Sequence, residues 1–261
     1  MKLLKIKLSM LTACLMLLSV SLPVSAQTAA QISKKSADAA DIGPMEMDLT
    51  VFIRDNKGNE RVRQITMSSG KFGDVSKTLI LFTAPADVKG TSLLIYDHKD
   101  KDDDMWIFMP ALKKVRRIIS SEKGKSFMGS EFTNADMSKP NQADFNYTLL
   151  GTVEYNGNPC WKIETTGINK DIQKAIGYSK TISFIDQSNY LCHKVEYYDF
   201  SGILHRVQHI SDYKEQTGKT YFAHRMIMEN VQNKRVSEML VDRLQMGTDL
   251  SENAFSPTAL Q

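Results

Sequence analysis

Apolar and polar residues alternate with a period of two along most of the chain after residue 44. In the first such segment, residues 47–54, every odd position is apolar and most even positions are polar. This alternation is typical of a β-strand that buries one face. The same pattern predicts twelve further strands, at 61–67, 77–83, 93–98, 105–109, 114–119, 145–154, 160–166, 179–186, 190–200, 203–213, 220–230 and 235–245.

Short turn sequences separate the predicted strands. Residues 55–59 read Asp-Asn-Lys-Gly-Asn, and Ser201-Gly202 joins two long alternating segments. Connections this short place consecutive strands side by side and antiparallel. One helix of two turns is predicted at 169–176, with Asn169 as its cap and Gly177 as its stop. The pattern therefore predicts a mainly β fold made of a single curved antiparallel sheet.

Three predicted strands are apolar on both faces, at 79–82, 93–96 and 105–109. A strand of this kind needs cover on both sides. A sandwich core supplies that cover, and so does a helix, a lid loop or a bound apolar ligand. The sequence leaves these alternatives open.

Residues 120–143 show no strand pattern, yet they carry Phe127, Met128 and Phe132 among glycines and serines. A loop this long inside a compact domain is usually functional or disordered. Its apolar residues favour a lid, because methionine adapts to irregular partners. The alternative is a surface loop that packs over one end of the sheet without a binding role.

The first 26 residues have the three parts of a secretory signal. Lysines stand at positions 2, 5 and 7, an apolar run follows, and small residues lead to Ala26. Such a signal directs export out of the cytoplasm and is expected to be cleaved near Ala26. Residues 11–14 also match a lipobox, so lipid anchoring at Cys14 is the alternative.

Removal of the signal also removes most of the excess charge. The whole chain has 33 Lys and Arg against 30 Asp and Glu, and three of the lysines lie in the signal. A nearly neutral chain is not expected to bind nucleic acid, which requires clustered positive charge. Residues 27–44 are rich in Ala, Gln, Ser and Lys and predict a flexible or partly helical leader, and 45–261 are expected to form the folded domain.

Catalytic motifs are missing from the sequence. It contains no Gly-x-Ser-x-Gly elbow, no His-Glu-x-x-His and no phosphate loop. Asp100, Asp102 and Asp104 have the spacing of a calcium loop, but the later glycine and glutamate of that loop are absent. We therefore expect no enzyme, no metal site and no cofactor.

Two further features have alternative interpretations. Cys160 and Cys192 invite a disulfide in an oxidising compartment. In a meander, however, they lie two strand spacings apart, roughly 9.5 Å, where a disulfide needs about 7 Å or less. The basic run 113–117 either meets anionic head groups or an acidic partner, or protects a sheet edge against aggregation.

Two segments resemble a known family. Residues 105–118 read MWIFMPALKKVRRI and residues 127–133 read FMGSEFT. In this order they are similar to the bacterial outer-membrane lipoprotein-sorting proteins, a LolA-like family. Residues 79–82 and the late hairpin at 197–202 are similar as well, and the likeness runs from about residue 45 to the end.

The resemblance implies an unclosed half-barrel with short helices or a lid loop over an apolar cavity. It implies a monomeric periplasmic carrier that transfers lipid or lipoprotein acyl chains toward the outer membrane and serves beside an RND-type inner-membrane exporter. The alternative is a non-enzymatic accessory protein that docks on such an exporter, with the apolar strands as ordinary core.

The residues expected to contact the acyl chains come from the strands and from the loop. Arg116 or Arg117 is expected to hold a head group or to dock a partner. The predicted cavity lining comprises Leu49, Val51, Leu79, Leu81, Trp106, Phe108, Phe127, Met128 and Phe132.

Overall fold

A computed structural model describes residues 27–99, 101–216 and 220–260. The expected signal sequence with Cys14, the first aspartate of the acidic run at Asp100, and residues 217–219 lie outside this range. Thirteen strands form one antiparallel sheet, which confirms the predicted fold class. They are β1 (Met45–Arg54), β2 (Glu60–Phe72), β3 (Val75–Ala84), β4 (Ser92–Asp97), β5 (Asp104–Met109), β6 (Lys114–Ile118), β7 (Phe145–Tyr155), β8 (Asn158–Gly167), β9 (Lys180–Asp186), β10 (Cys192–Tyr198), β11 (Leu204–Glu215), β12 (Tyr221–Asn230) and β13 (Arg235–Met246).

The chain enters the sheet in the middle. Strand β1 pairs with β2 on one side and with β13 on the other, from Met45 opposite Met246 to Arg54 opposite Val236. The order across the sheet is β6-β5-β4-β3-β2-β1-β13-β12-β11-β10-β9-β8-β7. Strands β6 and β7 are therefore the two edges, and the sheet stays open between them.

The predicted hairpin at Ser201-Gly202 is confirmed between β10 and β11. The Asp199 carboxylate accepts hydrogen bonds from the backbone N–H groups of Ser201 (2.9 Å) and Ile203 (3.0 Å). Gly202 has a φ of +76°, a left-handed conformation that glycine adopts without steric cost. An aspartate at the start and a glycine inside the turn thus explain why the chain reverses here.

The largest apolar cluster lies on one face of the sheet, which we call the inner face. The odd residues 47–53 of β1 are buried there, as the alternation predicted. Methionine is unusually frequent in this cluster. Four methionines are buried and five are partly buried: Met47, Met105, Met228 and Met239, and Met45, Met67, Met128, Met137 and Met226.

The opposite, outer face of β3–β5 is covered by the end of the chain. Phe255 and Leu260 come from two short 3-10 helices and pack on Leu94. The Lys77 ammonium contacts the Glu252 carboxylate at 2.6 Å, and the Tyr96 hydroxyl donates to the carbonyl of Phe255. Strands that are apolar on both faces need cover on both faces. On the outer face of β3–β5, the last residues of the described chain supply that cover.

Residues 27–44, expected to be a flexible or partly helical leader, contain the helix α1 (Ala29–Ala39). Thr28 and Gln31 form a capping box at its start, which satisfies two backbone N–H groups. Ile32 is 1% exposed and packs on Ile163 and Ile185 at the inner face of β8 and β9. Ile32 is the one buried residue of this helix, and the partly helical alternative describes the segment.

Two shorter helices flank the open side of the sheet: α2 (Ser120–Lys123) and α3 (Lys170–Ile176). The predicted cap and stop of α3 are confirmed, because Asn169 accepts from two N–H groups of the first turn and Gly177 is left-handed. Among the described residues, none of the helices has the length and hydropathy needed to cross a bilayer. Cys160 and Cys192 are free thiols on β8 and β10, with β9 between them.

Replacement of Ile32 by alanine tests the docking of α1. Loss of its buried side chain should cost about 2–4 kcal/mol of docking free energy and release the helix from β8 and β9. Limited proteolysis should then cut residues 33–44 faster than in the parent protein. Lys34→Ala, an exposed change on the same helix, should leave the cleavage rate unchanged, and equal rates for Ile32→Ala would contradict this packing.

Candidate ligand-binding site at the open seam

The segment between the two edge strands, residues 120–144, crosses the inner face, and we call it the crossing loop. Phe127 and Phe132 from this loop are 3% and 2% exposed, and both belong to the inner cluster. The Phe127 and Phe82 rings lie 5.6 Å apart. The crossing loop therefore fills the middle of the half-barrel with its own side chains.

A small hairpin within the loop directs these two phenylalanines inward. Ser126 and Thr133 form an isolated antiparallel bridge, and Phe127 N–H donates to the carbonyl of Phe132 at 2.8 Å. Gly129 at the tip has a φ of +82°. The FMGSEFT motif is thus a tight turn with an aromatic anchor on each arm.

A buried polar cluster holds the hairpin on β11–β13. Glu131 N–H donates to Ser237 Oγ (2.9 Å), and its carbonyl accepts from Arg206 Nη1 (2.7 Å). Arg206 is 4% exposed and also contacts Asp136 Oδ2 at 3.2 Å. The Glu131 carboxylate accepts from Asn230 Nδ2 at 2.9 Å. Buried charges are tolerated when they are paired and hydrogen-bonded, so these contacts fix one position of the loop.

The open side of the sheet is closed by a contact between two glycines. Gly124 follows α2, and Gly177 ends α3, which leads into β9. A Cβ placed on Gly124 would lie 2.7 Å from the Cα of Gly177 and 2.9 Å from its N. The contact connects the segment after edge strand β6 with the segment between β8 and β9. No strands pair across this gap.

A cavity of about 550 Å³ lies beside this contact. The apolar part of its wall comes from α3, from the start of β7 and from the inner face of the sheet, and the polar Asp136 and Gln208 also line it. Its rim is charged and comes from the β4–β5 hairpin, α2 and the crossing loop. The wall includes Phe145, Ile172, Ala175, Ile176, Tyr178 and Tyr197, and the rim includes Lys101, Asp102, Asp103, Lys123, Lys139 and Asp144.

The cavity has the dimensions and chemistry of a site for an amphiphile. Small-molecule pockets commonly measure about 300–1,000 Å³ and combine apolar walls with a few polar groups. Tyr178 and Tyr197 meet edge to face with ring centroids 5.2 Å apart. Burial raises the pKa of both phenols, so they stay neutral at the floor. An apolar tail fits this floor, and a polar head fits the rim.

Carboxylates at the rim are held in a poorly solvated environment. Burial, together with the nearby charge of Asp103, raises the pKa of Asp97 to about 7, while the Lys139 N–H bond to Asp97 (3.1 Å) opposes the shift. Burial also raises the pKa of Asp103 and of Asp144. Water is therefore already partly excluded at the cavity entrance.

Comparisons with known proteins agree with this architecture. A family model described as "uncharacterized protein" matches residues 74–261. A solved outer membrane lipoprotein-sorting protein domain from Vibrio parahaemolyticus is 30% identical, with a TM-score of 0.82, over 89% of this chain and 97% of that one.

The chain belongs to the LolA-like outer-membrane lipoprotein-sorting family. A DUF1329 family protein from Desulfovibrio piger is 26% identical over 89% of this chain and 98% of its own, with a TM-score of 0.82. A LolA superfamily protein from Nitrosomonas europaea shares the fold at 22% identity and a TM-score of 0.71, over 88% and 98% of the two chains. No curated protein matches the sequence significantly.

Within this LolA-like fold, the nine predicted lining residues divide between the two faces. Five of them come together in the inner cluster: Leu49, Val51, Phe127, Met128 and Phe132. Leu79, Trp106 and Phe108 instead pack under the chain end on the outer face, and Leu81, 39% exposed, lies on the same side. Their inner neighbours are Ile80, Phe82, Met105 and Ile107. None of the nine lines the 550 Å³ cavity.

The division has a simple cause. On a strand with apolar residues at consecutive positions, alternation cannot tell which residues face inward, and a shift of one residue exchanges the faces. The cavity wall was missed for a different reason. Ile172, Ala175 and Ile176 have the three- and four-residue spacing of a helix face, but only the topology places α3 beside the open seam.

Arg116 and Arg117 lie on the edge strand β6, away from the cavity. Arg116 Nη1 contacts Glu122 Oε2 at 2.5 Å, and Arg117 pairs with Asp104. Both side chains are at least half exposed. Their role in contacting a head group or a partner stays a prediction.

Replacement of Gly124 by alanine should separate α2 from α3. Gly124 has a φ of −74°, so alanine meets no backbone strain of its own, and its Cβ must instead push the Gly177 backbone away. Overpacking of this kind costs about 1–3 kcal/mol. Hydrogen exchange should become faster in 120–144 and 170–178. Ser121→Ala, an exposed change in α2, is the control, and unchanged exchange in Gly124→Ala would contradict the contact.

Asp97 should make the protein less stable as the pH rises. The pKa is 3.8 for an ordinary Asp and about 7 in the fold. Between these values the folded state binds a proton that the unfolded state lacks, so the free energy of unfolding falls with rising pH. Asp97→Asn removes this dependence. Its stability gain over the parent should be on the order of 2 kcal/mol larger at about pH 8 than at about pH 5, measured by urea unfolding. A gain that does not change with pH would refute the assignment.

Proposed function

We propose that the protein is a periplasmic carrier that binds the acyl chain of a lipid or lipoprotein and transfers it toward the outer membrane. The observation that carries this proposal is the 550 Å³ cavity with a partly apolar wall and a charged rim at the open seam. Membership in the lipoprotein-sorting family supports it. In this proposal residues 1–26 are a signal removed near Ala26, and 45–261 are the carrier domain.

Partition of an acyl chain out of water supplies the binding energy. Each buried methylene contributes about 0.8 kcal/mol, without any directional contact. The tail would lie against Ile172, Ile176 and Phe145, and the head group would stay at the charged rim. Such a site binds many tails of similar length, as a carrier of abundant lipids requires.

A longer tail has a route from the cavity into the inner cluster. Tyr178 and Tyr197 line the cavity and also pack against the methionine-rich cluster. Methionine has an unbranched, flexible side chain and adapts to irregular shapes. We propose that a long tail displaces these side chains together with Phe127 and Phe132, and so reaches Met128, Leu49 and Val51.

Four of the predicted lining residues lie on the outer face, where the last residues of the described chain pack. Leu79, Leu81, Trp106 and Phe108 contact a tail only if the chain end at 250–260 moves off that face. Arg116 and Arg117, exposed on an edge strand, offer a positive surface to an acidic partner such as an inner-membrane exporter. Docking on that exporter without a cargo remains the second candidate, because those two arginines lie outside the cavity.

A cavity-filling variant tests the carrier function. Ala175→Trp places an indole in the cavity wall and should weaken binding of a fluorescent fatty acid at least about tenfold. Thr152→Trp puts the same side chain on an exposed position of β7, outside the cavity, and should bind like the parent. Native mass spectrometry of the parent protein should show a co-purifying lipid. Absence of both lipid and fatty-acid binding in the parent would refute the proposal.

A further inference from the structure

We propose that the β10–β11 hairpin tip, residues 199–203, docks on an anionic membrane surface. Phe200 and Ile203 in this tip are each 60% exposed, the highest value among the large apolar side chains that the structure describes. The inference does not depend on what the cavity holds. It concerns where the protein meets a bilayer, which the proposed carrier function leaves open.

The tip is rigid, so the apolar side chains are held outward. The Asp199 carboxylate accepts from two backbone N–H groups of the turn and from Gln232 Nε2 at 2.9 Å. Gln232 also donates to the carbonyl of Leu204 at 3.2 Å. These bonds tie the tip to the neighbouring β12–β13 turn. The backbone of the tip is therefore held in place by several hydrogen bonds, with Phe200 exposed on it.

Another exposed apolar residue stands at the same end of the sheet. Ile168, just after β8, is 48% exposed. Strands β8 and β10 run in the same direction because β9 between them is antiparallel to both. Their ends are two strand spacings apart, roughly 10 Å. Ile168 and Phe200 thus lie at one end of the sheet, near enough to touch one surface together.

Positive charge surrounds this apolar group. Lys170 and Lys174 of α3 and Lys234 of the β12–β13 turn are exposed. Asp171 is the exposed acid among them, while the Asp199 carboxylate is turned to backbone donors. The nearby Arg235 is paired with Glu131 at 2.9 Å. Three ammonium groups against the two carboxylates of Asp171 and Asp199 leave an excess of positive charge, which complements anionic lipid head groups.

The size of the patch favours a membrane over a folded partner. A stable protein interface buries about 800 Å² on each side, which three scattered apolar side chains do not supply. A bilayer makes no demand for shape complementarity. Apolar side chains that enter the head-group boundary beside lysines are typical of peripheral membrane attachment.

Sedimentation with vesicles tests the docking. The mature protein, residues 27–261, should pellet with vesicles that contain phosphatidylglycerol, less with phosphatidylcholine alone, and less at raised salt. The double change Phe200→Ser with Ile203→Ser should reduce binding about tenfold or more. The triple change of Lys170, Lys174 and Lys234 to Gln should remove the preference for phosphatidylglycerol. All five positions are exposed, so folding, checked by thermal unfolding, should not change.

Val153→Ser is the control. Val153 is 37% exposed and pairs with Cys160 at the start of β8, at the opposite end of these strands from Ile168, so its change should leave vesicle binding intact. Equal pelleting of the parent and the double variant would overturn the proposal, as would absence of vesicle binding by the parent. A concentration-dependent dimer that the double variant loses, without vesicle binding, would show that a second copy covers the tip. Fatty-acid uptake should persist in both surface variants, so the carrier function is tested separately.

Discussion

The pairing of β1 with β13 determines the rest of the architecture. It joins the first and last strands in the middle of the sheet, so the chain must run outward to β6 and later return from β7. The two edges are then far apart along the sheet, and one connection must span them. That connection is the crossing loop, and its path over the inner face follows from this topology.

The open seam is a consequence of the same pairing. A closed barrel has no edges, whereas this sheet must protect two of them. Strand β6 is short and carries Lys114, Arg116 and Arg117, charges that discourage pairing with other chains. On the inside, the contact of Gly124 with Gly177 bridges the seam without hydrogen-bonded strands. A seam closed by two small helices can leave a cavity, and a continuous sheet would not.

Most of the fold could be predicted from the sequence, because alternating apolar and polar residues indicate a half-buried strand. All thirteen strands of the described chain match predicted ones, and α3 follows from its cap and stop. The site was less predictable. Residues 79–82 and 105–109 are apolar at every position, so alternation could not decide between Leu79 and Ile80. For residues 27–44 the composition left a flexible and a helical interpretation open, because one buried residue, Ile32, anchors α1. The cavity wall depends on contacts between segments distant in sequence, which no local pattern contains.

An interior filled by the loop has a consequence for affinity. An empty apolar cavity that accepts a tail gains the full transfer free energy of about 0.8 kcal/mol per methylene. Here a tail that advances beyond Tyr178 must displace Phe127, Phe132 and methionine side chains already packed on β1–β5. It must also disturb the bonds of Glu131 with Arg206 and Ser237. The net gain per methylene is therefore smaller deep in the inner cluster than in the cavity. For the proposed carrier this difference limits how tightly cargo is held, and the return of the loop to its closed position favours release.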